Sequence, residues 1–376
     1  MSTSPARAHG LAGELARADW PALELPEVER LLQAYPDVGR PARIAWYSQR
    51  PLSAAALVKC ARGVVFVKRH HTTVRSAQTL AEEHRFIAHL RQHGVPIPAV
   101  LQTSAGATTT AMGDWVYEVH ARAIGNDLYR ERMSWVPPDE AAHARAAGRA
   151  LARLHRAALD YRAPQRRTHV LVARSEILAA VEPVAALDAQ LPERPGLAEY
   201  LSTRDWRRDL AQAIAPWHAS VQPRLARQAA LWTHGDWHVS NLCWNGSGAN
   251  AQVSAILDFG LCARNFALFD LATAIERNAI AWLEPEAERG RPHIAQALIE
   301  GYRSERVSGT DDATLLANLL PIVHVDFALS EVEYYHAVTR SDANADVAYD
   351  AFLRGHAAWF RTAPGRALLA AIGALI

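Results

Sequence analysis

Two polar segments flanking a short hairpin constrain this chain more tightly than any other feature of its 376 residues. The first runs Thr233-His234-Gly235-Asp236-Trp237-His238-Val239-Ser240-Asn241. The second, Asp258-Phe259-Gly260, begins seventeen residues beyond Asn241. Between them, Asn241 to Trp244 and Val253 to Leu257 read as two short strands around a Gly-Ser-Gly-Ala-Asn turn. An Asp in a turn after Gly is ordinarily a local cap, and a lone Asp-Phe-Gly says little. The two together, on either side of one predicted hairpin, form a specific pattern.

Asp236 and Asn241 are five residues apart, the spacing of the protein-kinase loop H-R-D-L-x-x-x-N, and an Asp-Phe-Gly again follows beyond a strand pair. Phosphoryl transfer needs a carboxylate beside the acceptor group and oxygen ligands for Mg²⁺ around the phosphates. Asp236 suits the first role; Asn241 and Asp258 suit the second, since Mg²⁺ prefers hard oxygen donors. His234 and His238 are four apart, but no helical H-E-x-x-H context surrounds them, so a zinc pair is not favoured. His234 is expected to hold the loop by hydrogen bonds, and His238 either does the same or faces the cleft.

The run H-G-D-x-H-x-x-N followed by I-L-D-F-G resembles the aminoglycoside phosphotransferase, choline kinase and type II homoserine kinase superfamily. The resemblance extends from about Val64 to the C-terminus and is strongest over 231–278. It implies an α+β, protein-kinase-like bilobal fold, with a small β-rich N-lobe and a larger helical C-lobe. It also implies ATP or another nucleoside triphosphate, and Mg²⁺. By motif match Asp236 would be the catalytic base, with Asn241 and Asp258 as metal ligands. Asp270, in Asp270-Leu271-Ala272, matches a family Asp that braces the catalytic loop. The adenine hinge would fall at Ala121-Arg122-Ala123, with Ala121 and Ala123 offering backbone groups to the base.

Only two of the 40 basic residues are lysines, Lys59 and Lys68. Where Arg fills almost every basic position, a retained Lys points to a need for a compact ammonium. Lys68 ends the apolar strand Val64-Val65-Phe66-Val67 and is the phosphate candidate; Lys59, across the hairpin turn, is the weaker one. In the helix that follows, Leu80, Glu83, Ile87 and Leu90 share a stripe, so Glu83 lies on the apolar face. A carboxylate there needs a partner, and Lys68 is the natural one. Glu82 would point about 100° away. The phosphate-covering loop departs from G-x-G-x-x-G: Ser48 to Ala54 has Ser53 and backbone N–H groups to offer, and reads equally as a plain turn.

Strands are expected at 43–48, 54–60, 64–69, 99–103, 108–111 and 115–120, with helices at 26–35 and 73–93. Residues 1–20 read as a flexible N-terminus, 21–120 as the nucleotide-binding N-lobe, 121–127 as a hinge and 128–376 as the helical C-lobe. There Asp139 is the expected N-cap of a helix to Ala158. Further helices are expected over 172–182, 205–229, 266–282, 292–305, 312–339 and 344–360. A net charge of +1 provides no field for nucleic acid. No run approaches eighteen uninterrupted apolar residues, and Met1 to Glu14 lacks a signal-peptide core, so no membrane partner is expected and a cytoplasmic location fits. Cys60, Cys243 and Cys262 are scattered and suggest no disulfide framework.

The substrate pocket is expected in the helical lobe beside Asp236. Asp326, Ser330 and Glu333 share a helix face that would receive a cationic amine, although a solvated face is the more ordinary reading. Trp237 would wall the pocket or pack in the core. Nine residues, Leu261 to Phe269, separate Gly260 from Asp270, and no A-P-E follows. A peptide-docking activation segment is therefore not expected. The sequence thus reads as a phosphotransferase acting on a hydroxyl or amine of a small molecule. A protein Ser/Thr kinase and a pseudokinase binding module are the alternatives.

Overall fold

The computed structural model describes residues 7–11, 14–305 and 313–375. Two compact units emerge: Met1–Gly125 with Ala255–Leu257, and Asn126–Ser254 with Asp258–Ile376.

The first unit begins with a small antiparallel pair, β1 (Arg7–His9) and β2 (Leu15–Arg17). Part of the segment expected to be flexible is thus ordered: the His9 N–H donates to the Gln49 carbonyl at 2.8 Å, which ties the pair to the turn after the next strand. Helix α1 (Leu25–Leu32) follows, then β3 (Pro41–Tyr47), β4 (Ala54–Cys60), β5 (Gly63–His71), α2 (Ala77–Gln92), β6 (Thr110–Met112) and β7 (Trp115–Ala121). The strands form one antiparallel sheet in the order β3-β4-β5-β7-β6. Period-two alternation divides its faces. Ala54, Ala56, Val58, Val65, Val67 and Val119 pack with Val28 and Leu31 of α1 on one side. Phe66, Lys68 and His70 of β5 project to the other, where Glu118 of β7 meets His84 of α2. Ser76 caps α2 by accepting from the Thr79 N–H, and Gly94, at φ +79°, ends it. No strand forms at 99–103. Ala99 and Leu101 still bond the β7 backbone, but Pro96 and Pro98 lack the donors a longer ladder would need.

The second unit is mostly helical: α3 (Ala141–Ala157), α4 (Glu176–Ala179), α5 (Pro183–Gln190), α6 (Pro195–Leu201), α7 (Trp206–Leu225), α8 (Ala267–Ala279), α9 (Pro292–Arg303), α10 (Ala313–Leu319), α11 (Val325–Glu333), α12 (Asp342–Asp346), α13 (Ala357–Trp359) and α14 (Ala363–Gly373). Two short pairs carry the loops of interest: β8 (Ala230–Thr233) with β11 (Ala263–Phe266), and β9 (Leu242–Asn245) with β10 (Gln252–Ile256). The cap of α3 is Glu140, not Asp139, because Arg132 holds both carboxylate oxygens of Asp139 at 2.6 and 2.7 Å. The expected helix 312–339 breaks at Pro321 into α10, a 3₁₀ turn and α11, then closes in a π turn over Tyr334–Val338. Among the described residues, Ala313–Val338 is long and apolar enough to cross a membrane, yet 83% of its most apolar window is buried in the protein, as in a core helix.

Helices α3 and α9 cross at two glycines. A Cβ on Gly148 would lie 2.0 Å from the Leu298 carbonyl oxygen, and one on Gly301 would lie 2.0 Å from that of Arg145. The close approach brings His155 of α3 to Tyr302 of α9, and both to the loop described next. Gly148→Ala and Gly301→Ala are therefore expected to destabilise the protein by about 1–3 kcal/mol each, by overpacking. The control Gly290→Ala, whose Cβ would make ordinary contact with the Trp359 ring at 3.7 Å and Leu368 Cβ at 3.8 Å, should shift the urea midpoint little.

Candidate active site

The loop between β8 and β9 is held at both ends by side chains of α8. Asp270, in the first turn of α8, accepts from the backbone N–H of His234 at 2.8 Å and of Gly235 at 2.9 Å. Behind it, His155 Nε2 lies 3.0 Å from Asp270 Oδ2, and His155 Nδ1 is 2.7 Å from the Tyr302 hydroxyl. Burial alone would push the Asp270 carboxyl up, but the hydrogen bond and charge of His155 bring it below the ordinary range. At the far end, Asn278 accepts from the Val239 N–H and donates to the Trp237 carbonyl. Gly235 sits at φ +79°, and a Cβ there would meet the Leu261 carbonyl oxygen at 2.6 Å, so the loop needs glycine for both conformation and space.

This frame presents Asp236. Asn241 donates its Nδ2 to the Asp236 carbonyl at 3.0 Å and to Oδ2 at 3.1 Å. The Asp236 N–H donates to His234 Nδ1 at 3.2 Å, so that nitrogen is unprotonated. His238 approaches Asp236 Oδ2 at 3.4 Å, and its Nδ1 is 2.7 Å from the Ser240 hydroxyl. Arg277 Nη2 is 3.6 Å from Asp236 Oδ1. Burial raises the Asp236 pKa, but the charges of His238 and Arg277 outweigh it and hold the carboxyl well below the usual range. Arg277 also faces Glu276, and Glu331 of α11 acts on both Arg277 and Asp236. Burial pushes Glu331 up to about 8 against the pull of Arg277. Glu276, which burial would raise, is brought to about 2 by the His356 imidazole, whose Nδ1 lies 3.2 Å from its Oε1, and by Arg277.

Asp258 adopts φ +53°, a left-handed conformation uncommon for a residue with a side chain, and its Oδ1 accepts from the Gly260 N–H at 3.3 Å. Phe259 is buried against the His234 ring at 4.7 Å. Buried Arg166 donates to the carbonyls of Gly260 and Cys262, fixing the chain as it enters β11. That strand, not a direct helix start, follows Asp258-Phe259-Gly260.

Other sequence-predicted residues fall as follows. Glu83 is buried on α2 at 3% exposure and Glu82 is half-buried; Lys68 lies half-buried on the sheet face toward α2, while Lys59 is exposed. Ser53 is half-buried in the turn before β4. The Ala121 N–H donates to the Ala99 carbonyl at 2.8 Å, so it is not available to a base, contrary to expectation. Trp237 is fully buried and packs edge-on to His234 at 5.3 Å rather than walling a pocket. The expected solvated acidic face on α11 is overturned: Asp326, Ser330 and Glu333 are all buried, and Arg194 Nε binds Glu333 at 2.7 Å. Burial, with Glu176 nearby, pushes Asp326 up to about 7.

Sequence reading missed His155, Arg166, Arg277, Asn278 and Glu331. Two of them carried a signal. His155 lies on the apolar stripe of Leu151, Leu154 and Ala158, and Arg277 falls seven residues after Asp270, on the same face of α8.

Residues 52–307 match the sequence pattern of a family described as Phosphotransferase enzyme family. A homoserine kinase from Methylobacterium nodulans is 29% identical over 221 residues; the match covers 58% of this chain, and the chain spans 58% of that curated relative. Among solved structures, a microcompartment-associated aminopropanol kinase is 18% identical, with a TM-score of 0.58 over 94% of this chain and 100% of its own. An amicoumacin kinase in complex with AMP-PNP and Ca²⁺ is 15% identical, with a TM-score of 0.54 over 86% and 93%. The fold is the α+β, kinase-like fold of these structures.

Asp270→Ala is expected to cost about 3–5 kcal/mol, because it leaves His155 and two backbone N–H groups buried without their acceptor. Chemical denaturation measures the loss. A drop below about 1 kcal/mol would show that the carboxylate does not brace the loop.

Proposed function

The chain belongs to the phosphotransferase enzyme family, and from that premise we propose that it transfers the terminal phosphoryl group of ATP, or another nucleoside triphosphate, to a hydroxyl of a small molecule. The observation that carries this reading is the Asn241 amide donating to both the Asp236 carbonyl and its carboxylate, which turns Asn241 Oδ1 away from Asp236. That oxygen and the Asp258 carboxylate are the hard donors a magnesium ion takes, so these two residues would hold it. When bound, the ion would neutralise charge on the transferring phosphoryl group.

Asp236 would bind the acceptor hydroxyl. A carboxylate held well below its usual range is a weak base toward a free alcohol. Its role is then to orient the hydroxyl and to take its proton late, when bond formation has made that proton acidic. A loose transition state, with little nucleophile charge early on, suits that order. Lys68 would neutralise phosphate oxygens and Glu83 would hold Lys68; Ser53 would cover phosphate, and the Ala123 backbone would meet the base. The names of the homoserine and aminopropanol kinases support a compact, hydroxyl-bearing acceptor. The short segment after Gly260 supports the same choice, because buried Leu261 and Cys262 lead straight into β11, whose Ala263 and Phe266 are buried too, and leave no exposed peptide platform.

ADP release with ATP, Mg²⁺ and a panel of amino alcohols, hydroxy amino acids, aminoglycosides and sugars tests this reading; a peptide outperforming every small acceptor would sink it. Asp236→Asn is expected to lower kcat by about 10²–10⁴-fold with nucleotide binding retained. Arg277→Gln removes a positive neighbour that lowers the Asp236 pKa, so the acid limb of the kcat profile should move to higher pH. An unmoved limb would mean that another group controls it.

A further inference from the structure

The first unit holds a second cluster of titratable side chains that the proposed phosphotransfer does not use. Glu118 lies mid-strand in β7, buried on the face toward α2. Three histidines from three elements converge on it. His84 of α2 places Nε2 2.8 Å from Oε2, His120 of β7 places Nε2 2.9 Å from that same oxygen, and His70 of β5 places Nε2 2.9 Å from Oε1. Sheet register accounts for the meeting. Glu118 pairs with Lys68, so His70 is its diagonal neighbour, and His120 stands two residues along the same face. The donor atoms of His84, Glu118 and His120 all lie within 4.8 Å of one another, close enough for one ion to touch all three.

Two features favour an ion over hydrogen bonds alone. The outer nitrogen of His84 is anchored, with Nδ1 2.9 Å from the Thr108 hydroxyl, the kind of support that orients a ligating imidazole. The Glu118 side chain is 2% exposed, and a carboxylate so deeply buried calls for positive charge beside it. Two imidazoles and a carboxylate suit zinc and its neighbours, whereas magnesium and calcium take oxygen donors. We propose that His84, Glu118 and His120 form a site for a zinc-class divalent metal ion, with His70 holding the remaining oxygen of Glu118.

The ion would fasten α2 to β7. Glu83 neighbours His84 on the helix, and Lys68 is opposite Glu118 in the sheet. The site would therefore stiffen the elements that carry the proposed phosphate-binding pair. That consequence rests on the phosphotransfer reading; the metal site itself does not.

The full chain, stripped with chelator and titrated with Zn²⁺ against a chromophoric competitor, is expected to take up one equivalent that excess Mg²⁺ does not displace. It should also gain thermal stability. Co²⁺ in its place should produce visible d–d absorption. His120→Gln, at a position whose side chain is 16% exposed, should abolish that absorption while the circular dichroism spectrum is unchanged. Thr108→Val, which touches only the anchoring bond, should weaken uptake by about 10–100-fold. His293→Gln, at an exposed position on α9, should change neither. Absence of stoichiometric uptake by the unmodified chain, uptake undiminished in His120→Gln, or uptake lost in His293→Gln would each overturn the proposal. None of these readouts depends on turnover, so they stand apart from the activity assays.

Discussion

The Asp270 carboxylate is the contact on which the site depends. It accepts two consecutive backbone N–H groups of a loop that could not pair them in a sheet, and it is itself held by His155. A buried carboxylate is costly unless its lone pairs are filled, and here three donors fill them. His155 is placed in turn by the approach of α3 and α9 at Gly148 and Gly301, which sets His155 against Tyr302. Helix packing thus reaches the backbone of Asp236 through an uninterrupted chain of contacts.

The charges around Asp236 then set its chemistry. His238, Arg277 and the Asn241 amide all favour the ionised form, while Glu331 and Glu276 place negative charge close by. Arg277 faces Asp236 and Glu276, while burial, against the pull of Arg277, pushes Glu331 up to about 8. One proton on Glu331 keeps the group from carrying a third uncompensated carboxylate around a single guanidinium. An anionic Asp236 that is hard to protonate is always ready to accept a hydrogen bond from a hydroxyl.

Local features were legible in the sequence, and distant ones were not. The spacing of Asp236, Asn241 and Asp258 depends on a loop and a hairpin, where neighbouring residues fix geometry, and the family match over residues 52–307 includes that region. Glu83 could be separated from Glu82 by helical periodicity alone. Asp139 misled because Arg132, seven residues earlier, takes the carboxylate a cap would have used. The acidic face of α11 misled because its partner, Arg194, lies far away in the chain, so a row of charges that looks solvated is an interior one. Arg166 and Glu331 act across similar distances and leave no local pattern.

Glu27, Glu118, Asp270 and Glu333 follow one rule. Each is a carboxylate bound by cations or imidazoles from another element: Arg69 for Glu27, His70 and His84 for Glu118, His155 for Asp270 and Arg194 for Glu333. Hydrophobic packing fixes distance between elements but tolerates sliding, because apolar contact has no direction. A buried carboxylate bonded to named donors does not tolerate it, since a slip of one position leaves a charge unpaired. In a chain whose proposed chemistry needs side chains set within fractions of an ångström, such bonds supply register that an apolar core alone would not. Their cost in desolvation is the reason each appears where a strand, helix or loop must be held in one place: α1 on the sheet, α2 on β7, the loop on α8, and α11 on Arg194.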